Sequence, residues 1–215
     1  MKYTTIIFDL DGTLLDTLED LATATNWALK TNNYPERTIE EIRWFVGNGM
    51  RRLIEQAVPT GTTAEQIEKV MNSFNEYYAT HTNDKTDLYP GVKELLVKLR
   101  ESGCKTAIVS NKPDYGVQNL RKQYFDGLVD GAIGEHPPIT RKPAPDMVLA
   151  IMKELNSDPK DCIYVGDSDV DVATAKNAGI PCIGACWGFR GKDFLIEQGC
   201  EMLAESLMDV YDFVK

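Results

Sequence analysis

Two carboxylates one residue apart, Asp9 and Asp11, stand at the end of the apolar run Ile6-Ile7-Phe8 and are followed at once by Gly12, Thr13 and Leu14. Packing alone explains this poorly, because burying unpaired charge is costly. The carboxyl end of a central strand in an open α/β sheet explains it better, since ligands bind there and a hard cation offsets the repulsion between the acids. Three further groups of reactive residues follow along the chain: Ser110 with Asn111 and Lys112, Lys142 ahead of Pro143, and Asp167-Ser168 with Asp171.

Each group fits a step in phosphoryl transfer. A carboxylate can attack phosphorus and carry the group as an aspartyl phosphate, a role open to Asp9. A second carboxyl can protonate the leaving oxygen and then activate water, a role open to Asp11. Mg²⁺ takes hard oxygen ligands and retains several waters, so Asp9, Asp167 and the backbone carbonyl of Asp11 suffice to hold it. Ser110 and the amides near Asn111 can hold phosphoryl oxygens, with Lys112 a further candidate for substrate contact. Lys142 can neutralise both the phosphate and Asp9. Asp171, one helical turn beyond Asp167, can orient Lys142 or a metal-bound water, with Ser168 beside it. Alone, Ser110 is an ordinary turn residue and Lys142 a solvated lysine before proline. Their order and placement make them a set.

The elements that must position these residues follow from the hydrophobic pattern. Strands are expected at Ile6–Phe8, Cys104–Val109, Val129–Ile133, Cys162–Val165 and Pro181–Gly184, alternating with helices, which predicts a doubly wound parallel sheet. Residues 16–82 interrupt this alternation. They read as helices only: Leu18, Leu21, Ala22 and Leu29 form one stripe, Thr38 to Glu41 spell a capping box, and Ile67, Val70, Met71, Phe74, Tyr77 and Tyr78 recur at helical spacing. The expected fold class is therefore α/β, a Rossmann-like sheet core of residues 1–15 and 83–215 with an all-helical cap domain, 16–82, inserted after the first strand. The polar stretch His81 to Thr86 serves as the return linker.

Composition narrows the function. The 215 residues carry a net charge of −10, which disfavours nonspecific nucleic-acid binding. No apolar run is long enough to cross a membrane, and the first strand begins too near Met1 for a signal peptide. Five cysteines without framework spacing suit reduced thiols in a cytoplasmic protein. The partner expected is a small phosphorylated metabolite, not a nucleic acid or a membrane, for a monomer or homodimer.

Asp9-Leu10-Asp11-Gly12-Thr13, Ser110, Lys142 and Gly166-Asp167-Ser168 with Asp171 together resemble the four ordered motifs of the haloacid dehalogenase superfamily. The resemblance implies a Rossmann-like core, a helical cap and Mg²⁺-dependent hydrolysis through an aspartyl phosphate. Val165 to Gly179, Val46 to Gly49, Ser110 to Pro113 and Trp187 to Arg190 look like the phosphoglycolate phosphatase branch. That branch implies 2-phosphoglycolate as substrate, with Gly47, Asn48 and Arg51 of the cap as substrate-binding candidates. Other activities of the superfamily stand as alternatives: a sugar-phosphate phosphatase, a pyrophosphatase, a nucleotidase or a phosphohexose mutase. Outside enzymes, the alternative is a phospho-accepting signalling or binding module.

Overall fold

A computed structural model describes residues 1–215. The chain forms two compact units, Met1–Leu15 with Leu88–Lys215, and Asp16–Asp87. In the first unit, β1 (Thr5–Phe8) leads to the acidic loop, and the chain leaves through the short β2 (Leu15–Asp16). The second unit contains α1 (Leu18–Thr31), α2 (Ile39–Phe45), α3 (Gly49–Ala57) and α4 (Ala64–Tyr78), and the chain returns through β3 (Asp87–Leu88). The core then continues with α5 (Val92–Glu101), β4 (Lys105–Pro113), α6 (Asp114–Tyr124), β5 (Gly131–Glu135) and α7 (Asp146–Glu154). It ends with β6 (Cys162–Gly166), α8 (Asp169–Ala178), β7 (Cys182–Ala185), α9 (Lys192–Glu197), β8 (Met202–Ala204) and α10 (Leu207–Val214).

The core sheet has six strands in the order β5-β4-β1-β6-β7-β8, paired in parallel throughout. The period-two alternation of a strand divides its side chains between the two faces. Ile6, Phe8, Ile108, Ile163 and Val165 pack with Leu95 and Leu99 of α5, Val117 of α6 and Val210 of α10. Ile7, Ala107, Val109 and Tyr164 pack on the other face with Met147, Val148 and Ile151 of α7 and Ala175 of α8. Burial on both faces explains why these strands read as unbroken apolar runs.

In the helical unit the apolar stripes converge on Leu21, Ala28, Leu29, Ile42, Leu53, Ile54, Val70 and Phe74. Thr38 and Thr63 each close a capping box, with Glu41 and Gln66. The return to the core falls at Asp87 rather than at residue 83. Asp20, buried on α1, accepts from the backbone N–H groups of Lys85 and Thr86 and from the Thr86 hydroxyl at 2.7–3.1 Å, and so binds this segment to the helices. The strand set also needs correction. β2 opens the segment expected to be purely helical, and β8 with α10 completes the sheet edge, where no element was expected.

Candidate active site

The parallel sheet brings the sequence-distant groups to one edge. Asp9 continues the β1 ladder by one bond, its N–H donating to Val165 O at 2.9 Å, so its side chain emerges where the strand ends. Asp167 and Ser168 leave the end of β6, the neighbour of β1. On the other side, β4 runs on past the expected end at Val109 to Pro113. Its register against β5 slips there, from Val109↔Ile133 to Pro113↔Glu135, with three residues of β4 set against one of β5. Such a bulge re-aims side chains, and this one contains Ser110, Asn111 and Lys112.

Lys142 is the hub. Its Nζ is sealed from solvent and lies 2.8 Å from Asp9 Oδ1, 2.8 Å from Asp171 Oδ1 and 3.0 Å from the Tyr164 hydroxyl. Its main chain is clamped by the Asn111 carboxamide, which donates to Lys142 O at 3.0 Å and accepts from Lys142 N at 2.8 Å. The Asn111 side chain therefore holds Lys142, while the expectation for substrate fell on the amides near Asn111. Burial by itself pulls the Lys142 ammonium down, but the charges of Asp171 and Asp9 outweigh it and hold its pKa well above the ordinary value.

The acids divide into distinct environments. Asp9 accepts from Lys142 and from Leu10 N at 2.7 Å, both through Oδ1. Asp167 accepts from the Thr13 hydroxyl at 3.2 Å and from Phe189 N at 2.7 Å. Asp171 is fully buried: Oδ1 takes Lys142, and Oδ2 accepts from Ser168 N at 3.1 Å and Ser168 Oγ at 2.6 Å. Ser168 and Asp171 thus cap α8 and also supply the counter-charge to Lys142. Asp11 is separate. Its Oδ1 lies 2.8 Å from the buried Lys112 Nζ, an ion pair whose angle is not that of a directed hydrogen bond. Ser110 is buried, and its Oγ accepts from Lys112 N at 3.2 Å.

Carboxylate oxygens of Asp9, Asp167 and Asp171 lie within 4.8 Å of one another. Burial, then the charge of Asp171, pushes Asp167 up to about 7, and the same two causes, in the same order, raise Asp9 well above the usual carboxylate range. A buried carboxylate cluster under this strain fits a hard divalent cation, which would favour the ionised forms. Asp171 is taken up by Lys142 and Ser168, so Asp9 and Asp167 are the carboxylates suited to ligation. The Asp11 carboxylate lies outside this cluster.

Sequence reasoning passed over several contributors. Tyr164 reads as one more apolar strand residue, yet its hydroxyl meets Lys142, Asp171 and Val109 O. The segment after β7 also serves the site: Phe189 N binds Asp167, and Trp187 Nε1 donates to Thr13 O at 3.0 Å. Gly188 makes this approach possible. A Cβ there would lie 2.2 Å from Asp167 Cβ and 2.5 Å from Gly12 O. Gly12 has φ +85°, and a Cβ on it would fall 2.5 Å from Asp167 Oδ2. Gly12 directly after Asp11 was the available signal for the first of these, and Gly188 lay within the Trp187 to Arg190 segment that carries the family resemblance.

In the helical unit, Gly47 (φ +116°) and Gly49 (φ +82°) flank Asn48 at the start of α3. Arg51 is not the free cation expected for reading an anion. It pairs with Glu55 one turn on at 3.2 Å and with Glu68 of α4, while Arg52 also pairs with Glu55. Arg51 thus meets two carboxylates on the surface of the helical unit, and reading a substrate anion would require it to exchange one of them.

A strand-end aspartate locked to a buried lysine, with a second acid pair just beyond the neighbouring strand and in the helix that follows, defines a hydrolase of the haloacid dehalogenase-like family. The chain belongs to that family, which its sequence matches over residues 6–185. It is 34% identical over 217 residues to the phosphoglycolate phosphatase of Vibrio parahaemolyticus, covering 97% of this chain and 95% of that one. It is 32% identical to phosphoglycolate phosphatase 1 of Pseudomonas aeruginosa, over 95% of this chain and 77% of that one. Among solved structures it resembles a candidate phosphoglycolate phosphatase from Lactobacillus delbrueckii subsp. bulgaricus, with TM-score 0.95 and 35% identity over 100% of this chain and 99% of that one.

Proposed function

We propose that this hydrolase is a Mg²⁺-dependent phosphatase of small phosphorylated metabolites, working through an aspartyl phosphate on Asp9, with 2-phosphoglycolate as the leading substrate. The observation that carries this reading is the Asp9–Lys142 contact of 2.8 Å at the carboxyl end of β1. Both partners of Asp9 use Oδ1, which leaves Oδ2 to attack phosphorus. The P–O ester bond breaks as the Asp9–P bond forms, and Asp11 gives the departing oxygen its proton. Asp11 then takes a proton from water as that water attacks the acyl phosphate, which releases inorganic phosphate and restores Asp9. Lys142 offsets charge on the phosphoryl oxygens, and Ser110 donates to one of them. Asp9, Asp167 and the backbone carbonyl of Asp11 are the proposed Mg²⁺ ligands. When bound there, the ion would supply positive charge to offset that of the nucleophile and the phosphate.

The names of the relatives support phosphoglycolate. Gly47 and Asn48 are proposed as substrate-contacting residues, on the ground that a turn with two positive-φ glycines lets the main chain approach a short anion closely. A cytoplasmic setting is proposed from the five free cysteines. None of the helices is long and apolar enough to cross a membrane. The test is a comparison of kcat/KM for 2-phosphoglycolate, a hexose 6-phosphate and a nucleoside monophosphate at one Mg²⁺ concentration. The highest value is expected for phosphoglycolate. A clear preference for the sugar or nucleotide would keep the phosphatase and overturn the substrate, and absence of turnover on all three would overturn the phosphatase.

A further inference from the structure

Lys142 Nζ has three N–H groups, and three acceptors surround it: Asp9 Oδ1, Asp171 Oδ1 and Tyr164 Oη. The first is the proposed nucleophile and the second the buried counter-charge. The third has no evident reason to be a phenol if β6 needs only a large ring against Ile7 and Val109. Phenylalanine would fill the same volume.

We propose that Tyr164 is a positioning residue for phosphoryl transfer, its hydroxyl aiming Lys142 at the phosphoryl group and tying Lys142 to the strand end that presents Ser110. The inference rests on the phosphatase reading given above. The phenol has one proton, and two acceptors face it, Val109 O at 3.2 Å and Asp171 Oδ1 at 3.3 Å. Whichever of them takes the proton, the phenol oxygen keeps lone pairs for Lys142. Val109 is the residue before Ser110, so one hydroxyl touches the main chain that presents Ser110, the ammonium group and the ammonium's counter-ion. Tyr164 is fully buried and its own strand pairs with β1 at Ile7↔Tyr164, two residues before Asp9. The fulcrum is therefore fixed in the sheet, whereas Lys142 reaches it from a loop. Without the hydroxyl, one N–H of Lys142 loses its acceptor, and the ammonium can settle toward Asp171 and away from the phosphate.

Tyr164→Phe tests this, with Tyr164→Leu beside it. Wild-type turnover of phosphate esters is measured first. If there is none, the phosphatase reading fails and this inference with it. Given wild-type turnover, Tyr164→Phe is expected to keep its thermal midpoint within a few degrees and its KM within about twofold, while kcat falls about tenfold, less than the ~10²–10³-fold of losing a direct stabilising donor because the lysine itself remains. Inorganic phosphate, which meets the same lysine, should inhibit Tyr164→Phe several-fold more weakly than wild type. Tyr164→Leu should match the loss in kcat and add a loss of stability. A kcat and a phosphate inhibition constant unchanged in Tyr164→Phe, with losses confined to Tyr164→Leu, would make Tyr164 a packing residue and overturn the inference.

Discussion

Lys112 Nζ lies 2.8 Å from Asp11 Oδ1, with the lysine side chain almost wholly buried. Each acid of the Asp9-x-Asp11 pair thus has its own buried lysine, Lys142 for Asp9 and Lys112 for Asp11. The two acids are close in sequence and yet are held from different elements, Asp11 by the end of β4 and Asp9 by the loop that carries Lys142. This separation suits the two different roles proposed for them, nucleophile for Asp9 and proton carrier for Asp11.

Removing Lys112 should therefore damage both fold and turnover. Lys112→Met leaves Asp11 as a largely buried charge without its partner, at a cost of about 3 kcal/mol in urea unfolding. Adding Asp11→Asn to that variant should recover part of the stability and none of the activity. A double variant no more stable than Lys112→Met would mean that the ion pair contributes little to the fold.

Asp11→Asn by itself should lower kcat by about 10²-fold or more, the scale of general acid–base catalysis. The Mg²⁺ concentration for half-activity should move less than about threefold, because the proposed metal contact is the Asp11 carbonyl. A large shift in the Mg²⁺ requirement would place the Asp11 carboxylate on the metal. Asp167→Ala is the converse case, and its Mg²⁺ requirement should rise sharply.

Gly188→Ala is expected to be disproportionately harmful for a single methyl group. The added carbon would overlap Asp167 Cβ and the Gly12 carbonyl, so the backbone must move. Overpacking of this kind costs about 1–3 kcal/mol, and the Phe189 N to Asp167 bond should be lost with it. Stability and Mg²⁺ affinity should fall together. A variant with wild-type Mg²⁺ titration would show that this loop does not hold Asp167.

Much of this site was legible because its reactive groups sit where apolar strands stop. Asp9, Asp11, Ser110, Lys142 and Asp167 are polar residues out of place in a hydrophobic pattern. Tyr164 was not legible, because a tyrosine within an apolar strand has an ordinary use and only the three-dimensional register turns it toward the acids; Gly188 stood within a segment marked by resemblance, but its close approach to Asp167 needed the fold. The pairing of Arg51 with Glu68 was hidden for the same reason: the partners are on different helices, seventeen residues apart. The short edge strand β8 and the extension of β4 through Ser110–Lys112 escaped because neither shows the length or alternation that marks a strand.

The metal-free protein should be destabilised as pH rises. Asp167 holds its proton up to about pH 7 in the fold, against about 4 in an unfolded chain, and Asp9 is shifted in the same direction. Between those values the folded state binds a proton that the unfolded chain has released, so stability falls as pH rises from about 4 through about 7. The ceiling for Asp167 is on the order of 4 kcal/mol. Urea midpoints in chelator at pH 5 and pH 8 should show the decline, and added Mg²⁺ should restore stability more at pH 8. Equal midpoints without metal would contradict the strained carboxylate cluster.

The most direct measurement is hydrolysis of 2-phosphoglycolate by wild type and by Asp9→Asn, with Mg²⁺ present and both proteins shown to be folded. An amide keeps the shape of the carboxylate but is a poor nucleophile, so the expected result is release of phosphate by wild type and a loss of about 10⁴-fold or more in the variant. Turnover by Asp9→Asn within tenfold of wild type would contradict Asp9 as the group that attacks phosphorus.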